Sequence, residues 1–149
     1  DHKLSDLPPF LVSDSGVNSG FMIPQYTAAA IVSENKVLAH PSVVDSIPTS
    51  ANQEDHVSMG GYSARKGRQI LDNTNRVIAV EMVNAAQGMD FRAPLKPGKG
   101  SGAAFKEFRK HVPFYEKDQF MQPLLLKSLE LVENGTVVKA VEEAIGELK

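Results

Sequence analysis

The chain has 149 residues, of which 42% are hydrophobic and 23% charged, with a formal net charge of −2 and no cysteine. This length and composition are typical of one folded globular domain and exclude an intrinsically disordered chain. The weak, mixed charge argues against a nucleic-acid-binding protein, and the lack of cysteine excludes disulfides and thiolate metal sites.

The sequence contains no apolar run of the ~20 residues that a membrane-spanning helix requires, so no membrane partner is expected. Its N-terminus, DHKLSDLPPF, resembles neither a signal peptide nor a translation start. We therefore expect a chain that begins after processing or inside a longer protein. A cytoplasmic location fits the absence of cysteine.

The first predicted helix follows a connecting segment. Residues 1–17 contain two adjacent prolines and end in an extended stretch, which is typical of a linker. Helical periodicity then runs from Gly20 to Ala39, with Asn18 or Ser19 as the expected N-cap. Because this helix is apolar around most of its circumference, we expect it to be buried on all sides.

A second, much longer helix is predicted from about Val57 to Met89, after an irregular segment over residues 41–56. About 32 helical residues make a rod of roughly 48 Å, which exceeds the ~35–40 Å diameter of a compact domain of this length. The helix is therefore expected to be a strut in a larger assembly.

Glycine and proline mark a loop from Arg92 to Gly102, and three shorter helices are predicted after it. These helices are expected at Ala103–Val112, Pro123–Glu133 and Val137–Leu148. Their expected capping residues are Ser101, the Asn134-Gly135 pair and Thr136. Because no strand-like alternation of useful length occurs, the sequence predicts an all-α fold, a long-helix bundle in a single domain over residues 1–149.

Few residues are arranged for metal or nucleophilic chemistry. The four histidines, at positions 2, 40, 56 and 111, show no metal-ligand spacing. A zinc site would have to combine distant segments, with Asp45, Glu54 or Asp55 as its carboxylate ligands. The glycines of PGKGSG lack the spacing of a phosphate-binding loop, and no serine lies in a nucleophile elbow. Structural roles are therefore preferred for these residues.

The segment SANQEDHVSMG places Gln53, Glu54, Asp55 and His56 side by side just before the long helix. Asp55 is expected to accept unpaired N–H groups at the helix N-terminus, where the helix dipole favours a negative charge. Glu54 then lies one step outside the helix, held by a rigid terminus and available to a cleft. On this local pattern alone, capping is preferred to catalysis.

A long motif carries a resemblance to a known family. The stretch NSGFMIPQYTAAAIVSENKVLAHPSVVDSIPTSANQEDHVSMG is similar to the aromatic amino-acid lyases, specifically to those that act on histidine. The similarity continues through NTNRVIAVEMVNAAQGMDFR and covers essentially the whole chain. The resemblance implies a mostly helical fold, a homotetramer built on a bundle of long helices, and elimination of ammonia from L-histidine to give trans-urocanate. The faces of the long helices are then expected to be buried against other subunits.

The resemblance also implies a methylidene-imidazolone electrophile, which the family forms from an Ala-Ser-Gly triad in its N-terminal half. The present sequence contains no Ala-Ser-Gly, and its Gly-Ser-Gly-Ala at residues 100–103 is in the wrong place and order. The tyrosine, asparagine and arginine that complete the family's site precede the region of similarity. We therefore expect a C-terminal portion of such an enzyme, inactive without the N-terminal part as its partner.

Two site residues carry over from the family's motif. Glu54 matches a catalytic glutamate that contacts the substrate; a carboxylate suits histidine because it can accept the imidazole N–H, and phenylalanine-specific relatives have glutamine there. Met22 matches a substrate-pocket position that is lysine in the plant phenylalanine enzymes. The pair is predicted to favour histidine over phenylalanine or tyrosine. The family also places Glu54 within reach of residues from neighbouring subunits.

Two alternatives remain open. One is a portion of a phenylalanine or tyrosine ammonia-lyase or aminomutase, which substrate profiling of the full-length protein would separate. The other is an independent helical assembly module that kept the scaffold and lost the chemistry, which an intact Ala-Ser-Gly encoded upstream would exclude.

Overall fold

The computed structural model describes residues 2–42, 44 and 46–148. This part of the chain forms six α-helices: α1 His2–Ser5, α2 Met22–Leu38, α3 Gly60–Asp90, α4 Lys99–Arg109, α5 Gln122–Glu133 and α6 Thr136–Ile145. Single 3-10 turns lie at Pro9–Leu11 and Ser50–Asn52. The described residues contain no β-strand, which confirms the predicted all-α class, and none of their helices is long and apolar enough to cross a membrane.

Helices α2 and α3 pack against each other in antiparallel directions. On α3, Asn73 donates from Nδ2 to Glu34 Oε2 at 2.7 Å and to Asn35 Oδ1 at 3.0 Å. Lys66, about two turns earlier on α3, hydrogen bonds to the carbonyl oxygen of His40, just beyond α2. Residue numbers therefore rise along α2 as they fall along α3, and the start of α2 lies beside the last third of α3.

The hydrophobic core lies where the second half of α3 meets the C-terminal helices. Its buried side chains are those of Val12, Phe21, Val83, Ala86, Phe108, Val112, Tyr115, Leu131 and Val137. Within the core, Ser128 on α5 donates to the carbonyl oxygen of Ala79 at 2.8 Å, so its buried hydroxyl group is satisfied. In α3 the first buried residue is Asn73, so the N-terminal part of this helix extends beyond the core.

Gln87 is a fully buried polar side chain that joins three segments. Its Nε2 donates to the carbonyl oxygens of Leu11 at 3.0 Å and Tyr115 at 2.6 Å, and its Oε1 accepts the N–H of Tyr115 at 3.1 Å. Arg109 Nη2 lies 3.5 Å from the same Oε1 and forms a salt bridge with Asp90. Because a buried polar group is costly to leave unpaired, this amide fixes both neighbouring segments against α3.

The predicted linker over residues 1–17 is wrong. This segment contains α1 and a 3-10 turn, and its Val12 is only 1% exposed within the core. The Gln87 contact explains the difference, because it binds the backbone of Leu11 across 76 positions of sequence. Local composition does not report such a contact.

The start of α3 also differs from the prediction. This helix begins at Gly60 rather than Val57, and its N-cap residue, Met59, makes no side-chain capping bond. Asp55 lies five positions before the helix, so the capping role predicted for it is wrong.

Helix α4 begins at Lys99, inside the predicted loop, and ends at Arg109. Its N-cap is Gly98, so the capping role predicted for Ser101 is wrong. The early start brings Gly100 against α6, where an added Cβ would lie 3.1 Å from Ile145 Cδ1. The glycine is therefore used for close packing between two helices.

The other helix ends follow local rules in part. Asn134 and Gly135 end α5 as predicted, with Gly135 in the left-handed region at φ 70°. Gly135 is also the N-cap of α6, so the cap predicted at Thr136 is wrong, and α6 ends at Ile145. Helix α2 has Phe21 as its N-cap, without a side-chain capping bond from the predicted Asn18 or Ser19.

Helix α2 is exposed in a single chain. Pro24 is its one buried residue, whereas Ile23 and Tyr26 are 59% and 67% exposed. The expectation that all sides of this helix are buried is therefore not met within one copy. Its burial against other subunits stays a prediction.

Candidate functional site

Glu54 follows a left-handed turn. Ser50, Ala51 and Asn52 have φ values of 51°, 55° and 65°, a conformation that non-glycine residues adopt at a cost on the order of 1 kcal/mol or more each. The backbones of Thr49 and Glu54 close the turn, with N–H to carbonyl distances of 2.8 and 3.3 Å. Consecutive strained residues of this kind are concentrated at functional sites.

The same turn orients the Glu54 carboxylate. Thr49 Oγ1 and Ser50 Oγ both donate to Glu54 Oε2, at 3.1 and 3.0 Å. Oε1 accepts no hydrogen bond from the described residues, and the side chain is exposed. One carboxylate oxygen is therefore held by the protein, and the other is open to an N–H donor from outside this chain.

A cleft of about 660 Å³ opens next to this turn, between the loop and the start of α3. Its lining includes Ser42, Ser46, His56 and Ser63. Ser46 shapes the loop, because its Oγ accepts the N–H of Val57 at 3.0 Å and donates to the carbonyl oxygen of residue 55 at 3.1 Å. The carboxylate of residue 54 does not line this cleft, which in a single copy leaves the candidate residue facing solvent.

The histidine side chains are not gathered for metal binding. Within residues 2–42, 44 and 46–148, no group of three or more histidine, aspartate or glutamate side chains is placed to hold a metal ion. Asp45, considered above as a zinc ligand, lies outside the described residues.

Met22 lies at the N-terminal end of α2, in a different cleft of about 830 Å³. Its side chain is half-buried. The cleft has an aromatic and amide lining that includes Phe10, Gln25, Tyr26 and Asn84. It shares no lining residue with the cleft beside the Glu54 turn.

One copy of the chain does not bring the two predicted site residues together. Met22 begins α2, and the Glu54 turn follows the other end of that helix, whose 17 residues run antiparallel to α3. At 1.5 Å per residue, the two ends of α2 are about 24 Å apart. The cleft lined by Ser42, Asp55 and Gly60 places the Glu54 turn beside the start of α3, toward the C-terminal end of α2, whereas Met22 lies at the other end of that helix.

Sequence reasoning missed the partners of Glu54. Thr49 was not singled out, and Ser50 was considered only as a nucleophile and given a structural role, although serine and threonine beside a turn commonly bond to nearby groups. Their adjacency to the QED triplet is the signal that points to them. Asp118, which binds the start of α2 from 98 and 99 positions away, carries no local signal at all.

Comparisons with known proteins agree with this architecture. Residues 1–110 match the family model described as aromatic amino acid lyase. A histidine ammonia-lyase of Clostridium tetani is 54% identical over 149 residues, which cover 97% of this chain and 29% of that protein. The chain therefore spans less than a third of that relative's length.

Two solved structures are also similar. A histidine ammonia-lyase from Trypanosoma cruzi superposes with a TM-score of 0.93 and 45% identity, over 99% of this chain and 29% of that one. A tyrosine aminomutase from Streptomyces globisporus has a TM-score of 0.89 and 33% identity, over 95% of this chain and 27% of that one. The helical lyase fold implied by the sequence resemblance is confirmed.

Proposed function

The chain belongs to the aromatic amino acid lyase family, and we propose that it is the C-terminal portion of a histidine ammonia-lyase. The whole enzyme eliminates ammonia from L-histidine to give trans-urocanate, as part of histidine degradation. The higher identity to the histidine ammonia-lyases than to the tyrosine aminomutase supports this substrate.

The orientation of the Glu54 carboxylate gives the strongest support for histidine as the substrate. Elimination breaks the bond between Cα and the amino nitrogen, removes one proton from Cβ and forms the double bond between these carbons. The imidazole ring is left intact, so its N–H is available for recognition throughout. Glu54 Oε1 is free to accept that N–H, because Thr49 and Ser50 hold Oε2.

Binding at Glu54 can also assist proton transfer. A carboxylate within hydrogen-bond reach of the reacting group is a competent acid or base. The hydroxyl donors and the closed turn already restrict the carboxylate to few orientations, so it loses less conformational entropy when substrate binds. Glu54 is therefore assigned both roles, in reading the imidazole and in catalysis.

The methylidene-imidazolone group supplies the electrophile of this reaction in the family. The 149 residues contain no Ala-Ser-Gly from which it could form, so no residue described here is assigned to it. We assign the triad to an N-terminal part of the same protein. That part is the first proposed partner of this chain.

Further copies of the chain are the second proposed partner. Met22 lines one cleft and the Glu54 turn adjoins another toward the opposite end of α2, so a pocket containing both residues is assigned to different copies. Exposed apolar side chains on the paired helices, including Ile23, Tyr26 and Leu71, provide surface for such contacts. A homotetramer, as in the family, and a cytoplasmic location complete the proposal.

Substrate profiling of the full-length protein tests this function. L-histidine, L-phenylalanine and L-tyrosine are each supplied to the purified protein, and the corresponding unsaturated acids are measured by absorbance. We expect urocanate from histidine with a kcat/KM at least 10²-fold above the other two substrates. Preferential turnover of tyrosine, or formation of a β-amino acid, would establish the aminomutase alternative instead. No turnover of any substrate by a protein with an intact triad would favour an assembly module.

A further inference from the structure

The start of α2, which carries Met22, is held by a side chain from the other end of the chain. Asp118 lies between α4 and α5, and its Oδ2 and Oδ1 accept the backbone N–H groups of Ser19 and Gly20, each at 2.8 Å. The backbone N–H of Asp118 in turn donates to Asn18 Oδ1 at 2.9 Å. These three bonds join the two segments in both directions.

Asp118 is itself held in place by the core. Tyr115 is 3% exposed, its hydroxyl oxygen lies 3.4 Å from Asp118 Oδ1 and accepts the N–H of Gln119 at 3.0 Å. Its ring packs edge-on against Phe21 at 5.5 Å, one residue before Met22. The N–H groups of residues 19 and 20 lower the pKa of the Asp118 carboxyl, which therefore stays ionised at neutral pH.

The opposite side of the same segment is equally confined. The N–H of Phe21 donates to the carbonyl oxygen of Phe10 at 3.0 Å. Gly20 has a φ of 50°, and an added Cβ would lie 2.4 Å from that carbonyl oxygen. Residues 19–21 are thus fixed between the backbone at Phe10 and the carboxylate of Asp118.

We propose that Asp118 is a positioning residue for the Met22 side of the substrate pocket. The proposal rests on the proposed function, which assigns Met22 to the substrate pocket. Asp118 touches no substrate in this account. It sets the direction and position of the first turn of α2, and through it the place of Met22 and the cleft wall. Small displacements of a substrate-positioning group weaken productive binding strongly.

The test uses the full-length enzyme with Asp118→Asn, Asp118→Ala and the control Glu107→Gln. Glu107 is a carboxylate on α4 whose pKa is also lowered, first by its hydrogen bond to Lys110, and whose contacts with Lys110 and His111 stay within its own helix end. We expect KM for histidine to rise about 5-fold for Asp118→Asn and about 20-fold for Asp118→Ala, with kcat changed less than about 3-fold. Glu107→Gln should leave both constants near those of the parent enzyme.

A second readout is independent of activity. Amide hydrogen exchange of the peptide that contains residues 18–23 should be at least about 10-fold faster in Asp118→Asn than in the parent or in Glu107→Gln. A variant with a lowered melting temperature, parental KM and parental exchange would overturn the proposal. If Asp118→Asn does not fold, Asn18→Ala replaces it, because it removes the acceptor of the Asp118 N–H. A folded Asn18→Ala enzyme should show a raised KM, and an unchanged KM would overturn the proposal.

The two proposals fail in different ways. A parent enzyme that does not turn over histidine refutes the proposed function, whatever Asp118 does. A parent enzyme that turns over histidine with variants of unchanged KM refutes the positioning role alone.

Discussion

At the scale of single residues, the six positions from Thr49 to Glu54 combine a strained backbone with a carboxylate held in one orientation. Ser50, Ala51 and Asn52 adopt left-handed backbone angles, and the hydroxyl groups of Thr49 and Ser50 bind one oxygen of the Glu54 carboxylate. A glutamate on an ordinary exposed loop would sample several rotamers. This turn instead holds it in one arrangement before a ligand arrives.

Removing the hydroxyl groups should therefore weaken catalysis without removing the carboxylate. In the full-length enzyme, Thr49→Val combined with Ser50→Ala deletes both donors to Glu54 Oε2. We expect kcat/KM for histidine to fall about 10-fold, since two hydrogen bonds of roughly 1 kcal/mol each are lost and partly replaced by water. Steady-state kinetics measure this. Ser101→Ala, a hydroxyl on α4, is the control, and equal kinetics for both variants would contradict the orienting role.

Gly20 is the residue whose replacement should be least tolerated. Its φ of 50° and the 2.4 Å approach of Phe10 O to an added Cβ leave no room for a side chain. We expect Gly20→Ala to lower the free energy of unfolding by about 3 kcal/mol or more. Gly16→Ala is the matched control, because nothing lies within 4 Å of its added Cβ, and it should change stability by less than about 1 kcal/mol. Urea denaturation compares the two variants. Similar unfolding midpoints would show that the backbone shifts to accommodate the added Cβ with little loss of stability.

At the scale of elements, local rules predicted some helices well and missed others for a physical reason. Helix α5 was predicted within one residue because proline at its start and Asn134-Gly135 at its end act locally. The start of α4 was missed because the helical conformation at Gly100 depends on its packing against Ile145 on α6. The N-terminal segment was missed because its partner, Gln87, lies 76 positions away. Residues that depend on distant contacts carry no periodic signal.

The candidate site was predictable to a similar extent. The family motif identified Glu54 and Met22, whose roles stay predictions. Their placement toward opposite ends of α2 was not predictable, because a helical pattern gives neither the direction of the neighbouring helix nor the path of the loop that follows. The hydrogen bonds from Thr49 and Ser50 were not predictable either, because they depend on the closed geometry of the turn.

A substitution at Gln87 tests how α3 is joined to the segments that contain Leu11 and Tyr115. Gln87→Met keeps the approximate volume but leaves the carbonyl oxygen of Leu11 and both backbone groups of Tyr115 without their partner. We expect a loss of about 3 kcal/mol or more in the free energy of unfolding, since each buried unpaired group costs about 1–3 kcal/mol. Gln122→Met, at an exposed position, should change it by less than about 0.5 kcal/mol. Thermal and urea unfolding measure both, and a neutral Gln87→Met would show that water replaces the amide.

At the scale of the whole molecule, the fold leaves apolar surface uncovered. The N-terminal part of α3 extends beyond the core, and α2 has a single buried residue. Large hydrophobic side chains on these helices that are more than half exposed include Ile23, Tyr26, Val37, Tyr62 and Leu71. Monomeric proteins rarely expose contiguous apolar patches beyond a few hundred Å². We therefore expect the paired helices to be covered by other copies.

Light scattering on the 149-residue chain tests this expectation. At micromolar concentration the chain should be oligomeric, and Leu71→Lys should shift it toward smaller species by placing a charge on the apolar face of α3. Leu95→Lys, at a 73% exposed position outside the helices, should not. A well-folded monomer of the parent chain would contradict this account of the long helices.

Glu54→Gln in the full-length enzyme separates recognition of the substrate imidazole from a structural role of Glu54 in its turn. The amide keeps the shape and loses the charge, so we expect kcat/KM for histidine to fall at least about 10²-fold, equivalent to about 2.7 kcal/mol of transition-state stabilisation. The loss should be much smaller for phenylalanine, which has no imidazole, and Glu143→Gln, an exposed glutamate on α6, should leave turnover unchanged. A Glu54→Gln enzyme with near-normal histidine turnover and only a lowered melting temperature would assign Glu54 to the turn's structure and contradict its role in recognition of the imidazole.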